Sequence, residues 1–241
     1  MRKFYNSKVV YSGDIIEVYE YEKSIVLGET NNRVGRSVEA NEEDKIRHRK
    51  NTLDRARKNV RRIINANVKR WGERAKFLTL TFNEHITEIE KANYEFKKFR
   101  QRLEYELGIK LKYLAVIEFH KSGRIHYHVV FFNLPFIRAN DLASIWGNGF
   151  IKINEINHVD NMGAYVTKYM TKDHDDERLK GKKSYFMSRG LYKPIEKYLN
   201  EKEIADLKGS LSHKEVYKNV FQNEYMGNIL YTQYNMNSKG E

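Results

Sequence analysis

The chain has 241 residues, no cysteine and a formal charge of +12, so it has room for one decorated domain or two small ones but not for an added motor-sized domain. The absence of cysteine excludes disulfides, thiol nucleophiles and thiolate-ligated zinc, leaving His, carboxylate and carbonyl groups as the only metal ligands. No window approaches the roughly 20 apolar residues of a membrane span, and the polar stretch from Met1 to Gly13 does not read as a secretory signal, which predicts a soluble, cytoplasmic protein with no membrane partner.

Residues 1–40 alternate apolar and polar side chains in Lys8 to Tyr11 and Ile15 to Tyr19, separated by Ser12-Gly13-Asp14, and predict an N-terminal hairpin region. Residues 41–76 change to helical spacing. Ile46, Leu53, Val60, Ile63 and Ile64 recur on one face, and basic side chains fill the others. Between Lys45 and Lys76 thirteen Lys and Arg face only Asp54 and Glu73, so this one segment carries nearly the whole charge imbalance. A polyanion is the partner it predicts, with Arg55, Arg57, Lys58, Arg61, Arg62, Lys69 and Arg70 as the contact residues.

Residues 77–173 predict a compact core. Phe77 to Phe82 is a strand by its aromatic and β-branched content, and the helix beginning at Asn83-Glu84 buries Ile89, Phe96, Phe99, Leu103 and Leu107 before Gly108 ends it. Two further strands, Leu111 to Phe119 and Ile125 to Phe132, are joined by a short glycine-containing loop. A short helix over Asn140 to Trp146, a strand over Phe150 to Ile156 and a helix capped by Asp160 and running through Asp173 complete the core. This order predicts an α+β fold, a ferredoxin-like antiparallel sheet with helices on one face. Residues 174–241 mix charge with apolar positions and predict a C-terminal helical extension.

Two constellations carry chemistry. His126 and His128 flank Tyr127 in an apolar strand, so alternation sets both imidazoles on one face. A lone histidine there is ordinarily a core residue, whereas a His-X-His pair can grip a metal. Glu118, a carboxylate in an otherwise apolar run, would be the third ligand if the loop has an odd length and His120 faces Arg124; a two-residue turn would set it against Tyr127 instead. Two imidazoles and a carboxylate suit Mg²⁺ or Mn²⁺ and would also take Zn²⁺ or Ni²⁺. In the second constellation Tyr165 and Tyr169 share a helical face, with Lys168 and Lys172 at the same spacing beside them. Such a pair can be an ordinary apolar stripe with snorkelling lysines, or a phenol nucleophile helped by cations and a metal.

Taken in order, Phe77-Leu78-Thr79-Leu80-Thr81-Phe82, Gly123-Arg124-Ile125-His126-Tyr127-His128 and Tyr165-Val166-Thr167-Lys168-Tyr169-Met170-Thr171-Lys172 resemble the three motifs of the HUH endonucleases, specifically the rolling-circle replication initiators of small phages and plasmids. The resemblance spans roughly residues 77–173. It implies a metal held by Glu118, His126 and His128, attack by Tyr165 or Tyr169 on single-stranded or hairpin origin DNA, a 5′-phosphotyrosine link, a free 3′-OH that primes synthesis, and later rejoining of ends. Tyr165, first after the helix start and followed by Lys168, is favoured as the primary nucleophile, with Tyr169 as a second. No Gly-X-X-X-X-Gly-Lys-Ser/Thr loop occurs, so a host helicase is expected as partner together with a host polymerase. Three other readings compete: a transposase or relaxase of the same chemistry, a non-catalytic nucleic-acid-binding module, and a His-X-His-X-His nucleotide hydrolase, against which Val130 stands where the third histidine belongs.

Overall fold

The computed structural model describes residues 4–27, 41–72, 75–154, 160–170, 181–223 and 225–238. The chain divides into two compact units, Asn41–Tyr192 and the pair of segments Met1–Ala40 and Lys193–Glu241. Each is built on an antiparallel five-stranded sheet, so the protein is α+β.

In the second of these, the predicted hairpin is present as β1 (Phe4–Ser12) and β2 (Ile15–Val26), turning at Gly13 with φ 63°. It does not stand alone. Its sheet has the order β8-β1-β2-β10-β9, in which β8 (Ile195–Leu199), β9 (Glu215–Asn223) and β10 (Gly227–Asn235) all come from the C-terminal quarter. The helical extension expected there is therefore corrected: the segment holds α5 (Glu201–Leu211) but is otherwise mostly strand. Its aromatic and β-branched side chains favour a pleated surface, and long-range pairing with β1 and β2 supplies the partner strands that sequence periodicity cannot reveal.

The Asn41–Tyr192 unit contains α1 (Glu42–Asn67), β3 (Lys76–Thr81), α2 (Ile89–Leu107), β4 (Tyr113–Phe119), β5 (Ile125–Phe131), α3 (Ala139–Trp146), β6 (Ile151–Asn154), α4 (Met162–Thr167) and β7 (Tyr185–Met187). The sheet order is β6-β3-β5-β4-β7. Strand alternation divides its side chains into two cores. Leu78, Leu80, Ala115, Ile117, Tyr127 and Val129 face α2 and α3. Phe77, Leu114, Val116 and Val130 face the other way, against α1 and α4. The expectation of helices on one face thus describes only α2 and α3. Because the central strands are apolar on both sides, both sides need cover.

Helix starts and ends follow local chemistry. Asn41 caps α1 by accepting from the Asp44 N–H at 2.8 Å, and α2 ends at Gly108 with φ 64°. The cap of α4 is Asn161, whose side chain accepts from the Ala164 N–H at 2.9 Å, one residue beyond the expected Asp160. Regular helix ends at Thr167, and the rest of the expected helix, from 171 onward, lies outside the described residues.

Candidate functional site: a histidine pair beneath two tyrosines

The β4–β5 loop decides the site. The His120 N–H donates to the Arg124 carbonyl at 2.9 Å and the Gly123 N–H to the His120 carbonyl at 2.7 Å, with Gly123 at φ 84°. Three loop residues therefore separate the paired ends, which sets Glu118 opposite His126 and Val116 opposite His128. On the other flank of β5, Thr81 lies opposite His126 and Thr79 opposite His128. Glu118, His126, His128, Thr79 and Thr81 thus present polar groups on the sheet face covered by α1 and α4.

His128 is 3% exposed, and both of its ring nitrogens are engaged. Its Nε2 is 2.6 Å from Glu118 Oε2 and its Nδ1 is 3.1 Å from Thr79 Oγ1. An ionised carboxylate can only accept, so Nε2 carries the proton in this pair. Thr79 Oγ1 in turn accepts from the Asn154 side-chain amide at 3.3 Å. His126 Nδ1 is 3.3 Å from Thr81 Oγ1, and its ring stacks on His120 with centroids 5.8 Å apart. Burial alone would raise the Glu118 carboxyl, but the His128 hydrogen bond and the charges of His128, His126 and His120 hold it below the ordinary carboxylate value. Burial pushes His126 down, against the pull of Glu118, which favours the neutral imidazole that a metal requires.

Among the described residues no three His, Asp or Glu side chains already converge as a metal site. The donor chemistry nonetheless fits a divalent cation. Two imidazoles and one carboxylate share a sheet face, and the proton bridging His128 and Glu118 holds a place between two ligand atoms that a cation's charge could take. Each Nδ1 is already engaged by a threonine, which leaves Nε2 as the ligating atom of each ring.

Above this face lie the tyrosines. Tyr169 stacks on His128 with ring centroids 3.9 Å apart and planes 25° from parallel. Its hydroxyl donates to the Tyr165 hydroxyl at 3.1 Å, and both rings rest on Phe77 at 5.5 Å. Burial, the hydrogen bond with Tyr165 and the nearby Glu118 charge push Tyr169 up to about 12. Lys168 Nζ lies 5.8 Å from the centre of the Tyr165 ring. Lys172, the other expected partner, lies outside the described residues.

The basic helix α1 is fixed to the tyrosine helix by close backbone approach. A Cβ on Gly163 would fall 2.1 Å from the Arg61 carbonyl oxygen, so only glycine lets α4 seat here. The Gly163 N–H donates to Asn65 Oδ1 at 2.8 Å, Asn65 donates to Asn161 at 2.9 Å, and Arg57 donates to the Met170 carbonyl at 3.3 Å. Of the expected phosphate-binding residues, Arg55, Lys58, Lys69 and Arg70 are exposed, and Arg57 and Arg61 are half-buried. Arg62 is corrected: at 9% exposure it belongs to the inward side of α1, out of reach of a phosphate on the surface.

Thr79, Thr81, Asn154, His120 and Gly163 belong to the site although the sequence assigns them no role. Alternation in Phe77-Leu78-Thr79-Leu80-Thr81 already sets both threonines on the face away from Leu78 and Leu80, a signal present in the sequence. No helix among the described residues is long and apolar enough to cross a membrane.

Residues 75–174 match the family model for the replication-associated proteins of the ORF2 type. A relative described as Phasyl DNA replicon protein arp, from Escherichia coli, is 27% identical over 124 residues, covering 40% of this chain. The chain spans 42% of that relative's length. No solved structure matches it. The family match covers both histidines, Glu118 and both tyrosines, so the stretch similar to replication proteins is the one that builds the site.

Proposed function

We propose that the chain is a replication initiator of the HUH endonuclease type, which nicks single-stranded origin DNA by tyrosine attack and later rejoins ends. One observation carries the reading: the Glu118, His126 and His128 face and the Tyr165/Tyr169 pair are in direct contact, through the Tyr169–His128 stack at 3.9 Å. A metal-binding histidine pair and a phenol nucleophile must meet at one phosphate, and here unrelated parts of the sequence are brought together. The similarity to replication proteins supports the same reading.

Glu118, His126 and His128 would hold Mg²⁺ or Mn²⁺, which when bound would polarise the scissile phosphate. Tyr165 is the nucleophile that the hydrogen-bond direction favours. Tyr169 donates to the Tyr165 oxygen, an arrangement that stabilises negative charge on Tyr165 and leaves Tyr169 holding its own proton up to about 12. Lys168 adds positive charge beside the ring. A new O–P bond forms from Tyr165 to the 5′ side of the break while the bond from phosphorus to the 3′ oxygen breaks. The phenol proton lost is matched by the one the departing 3′ oxygen takes up. The products are a 5′-phosphotyrosine and a free 3′-OH, which a host polymerase would extend behind a host helicase. Exposed cations of α1 and its C-terminal end neutralise neighbouring phosphates.

The test is incubation of the full chain with Mn²⁺ and end-labelled single-stranded origin DNA, followed by a denaturing gel. A labelled band at the mass of protein plus oligonucleotide is expected. Absence of that band, or its persistence in the Tyr165→Phe, Tyr169→Phe double variant, rejects the reading.

A further inference from the structure

The face of the central sheet opposite the histidines has its own cleft, of about 390 Å³, between α2, β4 and β7. Phe96, Tyr113 and Phe186 form its wall, with Phe96 5.7 Å from Tyr113 and 5.0 Å from Phe186 between ring centroids. The rim carries Lys97, Arg100, Lys182 and Lys183 against one carboxylate, Glu90. Glu90 is taken by Lys182 at 2.7 Å and Arg100 is paired with Glu104 at 2.7 Å, whereas Lys97 and Lys183 form no ion pair with a described residue. Asn93 completes the lining. The buried Tyr127 donates its hydroxyl to Asn93 Oδ1 at 2.7 Å, which fixes the orientation of the amide and leaves its NH₂ group without a partner among the described residues.

We propose that this cleft binds a nucleotide. An aromatic wall suits a base, which every nucleotide offers as a flat π face. The Asn93 NH₂ can donate to an acceptor on the base edge, and the two lysines that lack carboxylate partners suit the phosphate. The volume lies within the range of small-ligand sites. Packing of the core explains the rings but not four cations gathered around them. Asn93 also ties the cleft to the strand between the histidines, because Tyr127 is the residue that separates His126 from His128. The shared chemistry is a base with a phosphate, carried either by a free nucleotide or by an unpaired residue of a DNA strand. Only the second source rests on the proposed nicking function.

The experiment uses the full chain without metal. Deoxyadenosine and thymidine 5′-monophosphates, and their nucleosides lacking phosphate, are titrated calorimetrically, and a 12-nucleotide oligo-dT is titrated by fluorescence anisotropy. Saturable binding of the monophosphates is expected, with the nucleosides weaker. The Lys97→Glu, Lys183→Glu variant, which changes only exposed charges, should weaken monophosphate binding about tenfold or more. Phe186→Leu, which keeps apolar volume but removes the stacking face, should weaken it also. A parallel loss of oligo-dT affinity identifies the strand as the source, and unchanged oligo-dT affinity identifies a free nucleotide. No monophosphate binding, or binding unchanged in both variants, overturns the proposal. The covalent-adduct assay on the same variants is scored separately: an adduct without nucleotide binding removes the cleft and keeps the nicking site, and the converse result does the reverse.

Discussion

Thr79 and Thr81 explain why the two imidazoles share an orientation. A hydroxyl can donate or accept, so each threonine can serve either tautomer of its histidine, and Thr79 is itself held by Asn154. A carboxylate in the same place would fix one tautomer and raise the ring's basicity. Replacing Thr79 and Thr81 together with Ala should therefore leave the fold intact but weaken Mn²⁺ binding by about ten- to a hundredfold, and the Ser variants should restore it. Calorimetric titration of Mn²⁺ checks this, and equal affinity in the Ala variant would remove both threonines from the site. The tyrosines invite a second comparison. Tyr165→Phe should abolish first-strand adduct formation, while Tyr169→Phe should retain it at a reduced rate, since the hydrogen bond to the nucleophilic oxygen is worth roughly 1 kcal/mol. A single-turnover nicking assay separates the two, and equal loss in both would make them interchangeable nucleophiles.

The elements that carry the site are legible where local chemistry decides them. Alternation in Ile125 to Phe131 and the glycine of the preceding loop are enough to pair Glu118 with His126. The docking of α1 on α4 is not, because Gly163 reads in sequence as an ordinary helical glycine and only the nearby Arg61 carbonyl explains it. Gly163→Ala should thus destabilise the protein by about 1–3 kcal/mol through overpacking, lowering the thermal midpoint and slowing nicking by displacing Tyr165. A midpoint equal to that of the parent chain would mean that α4 is not seated against α1. The charges of α1 divide in the same way. Helical spacing distinguishes its faces only roughly, and Arg62 falls on the buried one. The quadruple variant Arg55→Ala, Lys58→Ala, Lys69→Ala, Arg70→Ala should weaken binding to single-stranded DNA and flatten the dependence of log K on log salt, by roughly 0.7 for each phosphate no longer neutralised. Arg62→Ala should lower stability and leave that slope alone. A changed slope in the Arg62 variant would return it to the interface.

At the scale of the molecule, the chain's ends pose the hardest problem for sequence reading. Val9 and Val18 look like a hairpin, but nothing near them announces that Lys197 and Thr232 pair beside them, since those pairings span most of the chain. Aromatic positions such as Tyr198, Tyr217 and Phe221 fit a strand as well as a helix until their partners are known. The arrangement has a consequence for function. Every residue proposed to bind metal, attack phosphorus or neutralise phosphate lies within Asn41–Tyr192, which has two cores of its own on the faces of one sheet. A fragment of residues 41–192 should therefore unfold in a single cooperative transition and still form the Mn²⁺-dependent adduct with single-stranded DNA. Circular dichroism during thermal unfolding and the denaturing-gel assay test the two halves of that expectation. A fragment that folds cooperatively but forms no adduct would show that residues outside 41–192 complete the site, because the proposed ligands and nucleophile would all still be present. A fragment without a cooperative transition would instead assign the missing stability to the other sheet, and the same adduct assay on the full chain would then decide the chemistry alone.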